Sequence, residues 1–145
     1  MTSTVLQRPA GSGLLDRSVA LALALAAAAN GGFMLADPLN WYRIVPGVVD
    51  TGPANAHFIR DIGIAFCVVA AALTWGALRP AAAAGLYCMA ALFLGLHAGL
   101  HFVEYLHHGV PMHSLASDLA GIALPAVLSL LLAVRAAIRS KEISP

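Results

Sequence analysis

Four long apolar runs, separated by short polar or turn-forming stretches, organise the chain. They cover about residues 18–35, 58–78, 81–106 and 115–134. A helix that crosses a bilayer needs roughly 20 mainly apolar residues, and each run meets or approaches that length. The pattern predicts an all-α polytopic membrane protein, a four-transmembrane-helix bundle, with residues 1–145 forming a single integral membrane domain. The first run is the least uniform, because Asn30, Gly31 and Gly32 interrupt it. It also admits a second reading as a signal peptide, with Arg8 and Arg17 before its apolar region and an Ala-x-Ala site ending at Ala29. Continuation of the run through Phe33, Met34 and Leu35 favours a retained span.

The breaks between runs carry turn chemistry. Pro80 suits the first turn of the third helix, Gly109 and Pro111 stop it, and Ser114 suits the N-cap of the fourth. Asp37-Pro38 predicts a short loop helix over about 38–45, which Pro46-Gly47 ends. Its Trp41 and Tyr42 suit the headgroup layer. The plain reading is an interfacial helix; the functional one is a lid over whatever lies beneath. Thr51-Gly52-Pro53 is a turn leading into the second span.

Composition agrees with the membrane reading. Hydrophobic residues make up 60% of the chain and charged residues 10%, whereas about a quarter is charged in a soluble domain. Net charge is +1 with no clustered basic patch, which argues against nucleic acid as a partner and leaves the lipid bilayer. Cys67 and Cys88 fall in apolar runs without a CxxC spacing and read as small packing residues. With four spans, Arg8, Arg17, Arg79, Arg135, Arg139 and Lys141 fall on one side, against Arg43 and Arg60 on the other. The excess of Lys and Arg predicts cytoplasmic N- and C-termini.

Candidate chemistry concentrates in HAGLHFVEYLHHG, residues 97–109. On a helix, His97, His101, Glu104 and His108 fall within an arc of roughly 60° and rise about 16 Å. His107 and Tyr105 point to other sides. Antiparallel topology adds His57 and Asp61, an i, i+4 pair with Arg60 beside it, at the start of the second span. It also brings Asp118 from the fourth span and Asn30 from the first to the level of His101 and Glu104. Ionisable groups therefore gather at the outer end, and the inner halves offer almost none. A charged group inside a bilayer costs roughly 2.5–3.5 kcal/mol on insertion scales, so a function is the default reading of such a cluster.

Histidines at i and i+4 can bind one ion from a single helix face, and carboxylates from neighbouring helices can complete the shell. The expected ligands are His57, Asp61, His101 and Glu104, with His97 below them; Arg60, Asp118, Asn30 and His108 form a surrounding network. Mixed imidazole and carboxylate ligation suits Zn, Fe, Mn or Cu. The spacing matches neither HExxH nor ExxH, so it names no enzyme class. One alternative is a b-type haem held between His57 or His97 and a partner across the bundle. Another is a proton- or ion-coupled path, or a polar network that only fastens helix ends. Gly95 and Gly99 form a GxxxG, which predicts close helix packing and allows a homo-oligomer contact on that face.

The block WYRIVPGVVDTGPANAHFIRDIG, residues 41–63, followed by His97 and His101, resembles a family of small four-helix bacterial membrane proteins. These carry a TGPxNxHFxRDxG block at the start of the second helix and an HxxxH late in the third. The resemblance covers about residues 37–109. It implies a four-helix bundle, DoxX-like in architecture only, in a bacterial inner membrane, and groups His57, Arg60, Asp61, His97 and His101 as one unit. No activity comes with it.

Overall fold

Inside a bilayer no water is available to backbone N–H and C=O groups, so a spanning segment must satisfy them internally. A computed structural model, which describes residues 13–109 and 112–143, answers this with helices throughout. They are α1 (Leu14–Ala36), α2 (Pro38–Ile44), α3 (Ala56–Leu78), α4 (Ala83–His108), α5 (Met112–Asp118) and α6 (Leu124–Ile143). Four stretches are long and apolar enough to cross a membrane: Leu14–Ala36, Ala56–Leu78, Pro80–His107 and Leu115–Lys141. The protein is an all-α four-helix membrane bundle.

Local chemistry sets the boundaries. The Asp37 carboxylate accepts the Asn40 N–H at 3.2 Å, and Pro38 occupies the first turn of α2. Asn55 caps α3, its side-chain oxygen accepting the N–H groups of His57 and Phe58 at 3.1 Å each. Between α2 and α3, Gly52 has φ +124°, a conformation that side chains with a Cβ rarely adopt. Helix α1 begins at Leu14, four residues before the apolar run, and continues unbroken through Ala29 to Ala36. The helix that leads into the fourth span is already formed at Met112, so Ser114 lies inside it and is not its N-cap.

A π-helical turn, Leu119–Ala123, joins α5 to α6, with the Leu124 N–H donating to the Leu119 carbonyl. Pro125 follows, and its nitrogen has no hydrogen to donate to the preceding turn. A widened turn at that point accommodates the missing donor, and such turns are frequent at functional sites.

Packing divides the bundle into two pairs. α1 lies along α3 and α4 along α6; α3 joins α4 over a smaller area, and α1 meets α6 only briefly. Glycines set the closest approach within the first pair. A Cβ on Gly31 would stand 2.6 Å from the Gly63 carbonyl oxygen, and one on Gly63 would stand 2.9 Å from Met34 Cβ. The interruption that makes the first span look weak is thus its tightest contact, with Cys67 Sγ beside it. Gly76 plays the same part for α4, because the Tyr87 ring occupies the space of its missing side chain. Gly95 and Gly99 differ from expectation. Both are exposed, and a Cβ on either would meet nothing within 4 Å, so they make no close helix contact within the chain.

The end that carries the termini has its own lock. Asp16 is buried on α1, and its carboxylate pairs with Arg135 Nε at 3.0 Å and with Arg139, both on α6. This corrects the expectation that the inner halves hold almost no ionisable groups. Asp16 falls before the apolar run, and only the extra helical turn of α1 brings it into the bundle.

Two substitutions and one control test these contacts in thermal or denaturant unfolding of detergent-solubilised protein. Gly63→Leu should lower stability by about 1–3 kcal/mol or more, the usual cost of overpacking, while Gly95→Leu should be nearly silent. Asp16→Asn should lower stability by at least about 1.5 kcal/mol, the scale of one charged hydrogen bond.

Candidate functional site

Between the two pairs, toward the end away from the termini, lies a chamber of about 680 Å³. Apolar lining comes from Leu23 and Met34 of α1, Ile62 and Phe66 of α3, and Leu94 of α4. Polar lining is densest on α4 and α5, with His97, His101, Glu104 and Tyr105 of α4, then Ser117 and Asp118 of α5; Asn30 of α1 and Asp50 and Thr51 of the following loop add to it. Gly121 and Ile122 of the π turn and Pro125 also line it, so the backbone irregularity borders the chamber.

The polar groups form a connected series. His97 sits deepest, edge-on to Phe66 (5.9 Å between ring centres, 88°) and parallel to Phe93 (6.2 Å, 4°). One turn on, the His101 ring lies 4.9 Å from that of His97. His101 Nδ1 stands 3.9 Å from an Asp118 carboxylate oxygen, and the Tyr105 hydroxyl donates to that same oxygen. Asp118 thereby ties α4 to α5 through a hydrogen bond and a nearby imidazole. Glu104 lines the chamber one turn from His101, half-buried.

The segment after α1 closes the mouth. The Trp41 indole N–H donates to Asn30 Oδ1 at 2.9 Å, and the Asn30 amide lies 3.7 Å from Met34 Sδ. The Tyr42 hydroxyl donates to the Gly52 carbonyl at 2.7 Å, holding the turn that contributes Val48, Asp50 and Thr51 to the lining. Trp41 is therefore part of a lid as well as an aromatic residue near the bundle end.

Of the residues expected to form one site, the structure brings His97, His101, Glu104, Asp118 and Asn30 around this chamber. His57 and Asp61 do not line it. They pair with each other at 3.4 Å on the outside, with side chains 89% and 53% exposed. Helical phase explains the separation: α3 turns Ile62 and Phe66 inward, which puts Asp61 about 100° and His57 about 140° away. Arg60 also lies outside, its Nε donating to the Leu35 carbonyl at 3.3 Å near the end of α1. The side chains of His108 and His113 lie outside the described residues.

Tyr105 is a chamber residue that sequence reasoning passed over, and Trp41 belongs to the loop helix whose functional reading is a lid. Tyr105 was legible in part, since it falls only about 40° from His101 around the helix, and a long side chain covers that arc. Among the described residues, no three His, Cys, Asp or Glu side chains are gathered as a shell around an ion position. Nor does a described histidine face His97 or His101 across the chamber, as a haem held between two helices requires.

Comparison with protein-family models, curated proteins and solved structures finds no match to this chain. The chemistry must be read from the chamber.

Asn30→Ala removes the acceptor for Trp41. Tryptophan emission should shift to the red and amide exchange over residues 38–51 should quicken, with a stability loss of about 1 kcal/mol. Exchange in the middle of α3 and α4 should stay unchanged; uniform acceleration along the chain would contradict the lid assignment.

Proposed function

We propose that the protein is a membrane-embedded binding protein for a small amphiphilic organic molecule. The apolar body of that molecule lies against Leu23, Met34, Phe66 and Leu94, and its polar head meets His97, His101 and Glu104. The observation that carries this reading is an enclosed, mainly apolar lining in which polar groups of α4 and α5 converge. Pockets for organic ligands run from roughly 300 to 1,000 Å³, mainly apolar with a few convergent polar groups, and this one has that size and lining. Imidazole and carboxylate together can donate and accept hydrogen bonds, which suits a carbonyl- or hydroxyl-bearing head.

One observation favours a second reading, a transition metal (Zn, Fe, Mn or Cu) around which His97, His101 and Glu104 would draw together. Asp118 stands on the Nδ1 side of His101, where a carboxylate typically orients a ligating imidazole. In this reading His57 and Asp61 leave the ligand set expected from the sequence.

For location, we infer a bacterial inner membrane with the chamber facing the periplasm. Arg17, Arg79, Arg135, Arg139 and Lys141 crowd the terminal end, and basic residues favour the cytoplasmic side. The exposed Gly95–Gly99 face of α4 is left for a homo-oligomer contact.

One preparation separates the readings. Protein purified in mild detergent is split between organic extraction with mass spectrometry and elemental analysis, alongside His101→Ala and a substitution of Ala26, which lines the chamber from α1, Ala26→Phe. A near-stoichiometric organic molecule, lost when Ala26→Phe fills the chamber, is the expected result. A near-stoichiometric metal that His101→Ala removes and Ala26→Phe retains assigns the second reading. Neither species in folded wild-type protein overturns both and leaves the polar groups as a helix-fastening network.

A further inference from the structure

A groove of about 670 Å³ lies away from the chamber, on the outer surface where α1 and α3 run together toward the terminal end. Its floor is Ala24, Ala28, Ala70 and Ala71, whose short side chains leave a trough between the helices. Trp75 and Arg79 border it at the α3 end. Trp75 is exposed despite its size, and Arg79 is the residue that ends α3. The Arg79 backbone N–H is spent on the Trp75 carbonyl, while its guanidinium forms no ion pair or hydrogen bond among the described residues.

We propose that this groove binds an anionic phospholipid, with one acyl chain in the alanine trough and the headgroup phosphate at Arg79. Length and charge together support a lipid over a helix from a second copy. From Ala70 to Arg79 the groove extends about 13 Å along α3, close to one leaflet of a hydrocarbon core roughly 30 Å thick. A partner helix would pack on the alanines but would leave the guanidinium beyond them without a counter-charge. Charge supports an anionic lipid over a neutral one, because the trough ends at an uncommitted guanidinium at headgroup depth. Trp75 beside it has the amphipathic ring that favours this layer. The site is independent of the chamber and of what the chamber holds.

The chain has two tryptophans, Trp41 and Trp75, so a Trp41→Phe background leaves Trp75 as a reporter within the groove. Its quenching is measured in vesicles containing brominated phosphatidylglycerol or brominated phosphatidylcholine at matched mole fraction. One basic residue near a membrane surface favours anionic lipid about fivefold. A preference of that size for phosphatidylglycerol is expected, falling to near unity in Arg79→Gln and largely kept in Arg79→Lys. Native mass spectrometry of lipid adducts on the chain with both tryptophans measures the same ratio, so a poorly folded Trp41→Phe variant does not remove the test. Equal quenching by the two lipids, or a preference that survives Arg79→Gln, overturns the proposal. Loss of quenching by both lipids at high protein density would assign the groove to a second copy of the chain and also overturn it.

Discussion

The approach of α1 to α3 at Gly31 and Gly63 is the constraint from which the remaining geometry follows. With hydrogen at both positions the two backbones come within contact distance, and a Cβ on Gly31 would sit 2.6 Å from the Gly63 carbonyl. In a bilayer, where lipid tails are as apolar as leucine, such close van der Waals contact is a main source of helix association. The crossing fixes the rotation of α1, so that Asn30 and Met34 face inward beside it and Asn30 is available to the Trp41 indole. It fixes α3 as well, turning Ile62 and Phe66 to the chamber and His57 and Asp61 away.

The bundle is asymmetric along its axis. At the terminal end, alanines and Leu73 pack against Tyr87, and Asp16 clasps Arg135 and Arg139 across α1 and α6. That ion pair suits its place, because the arginines reach the water layer while the carboxylate stays buried. Toward the other end α1 and α6 do not hold each other, and the gap is filled by the α2 lid, the π turn and the chamber. Tight packing at one end thus permits an interior space at the other. Polar groups occur where that space removes them from lipid.

The candidate site was legible where it depends on one helix. The i, i+3 and i+4 spacing put His97, His101 and Glu104 on a common stripe, and the structure turns that stripe inward. Depth along the membrane was legible too: Asn30 and Asp118 lie at the level of His101 because equal counts from a helix end give equal heights. Rotation between helices was not. His57 and Asp61 have the right depth but the wrong azimuth, and spacing within α3 cannot say which of its faces meets α4. Tyr105 was assigned by its Cβ direction, although a phenol reaches several ångströms from that axis to Asp118.

By itself the sequence determined the solvent, the number of spans, most of their ends and the height of each polar group, since these follow from local hydropathy, capping and helical rise. It also marked Gly31 and Gly63 without showing their use. Only the tertiary structure decided which faces meet, because helix rotation is set by contacts between residues far apart in the chain. The stretch before the first apolar run became part of a buried ion pair for that reason. The histidine pattern of residues 97–109 likewise resolved into an inward series of His97, His101, Glu104 and Tyr105, with Asp118 supplied from another helix.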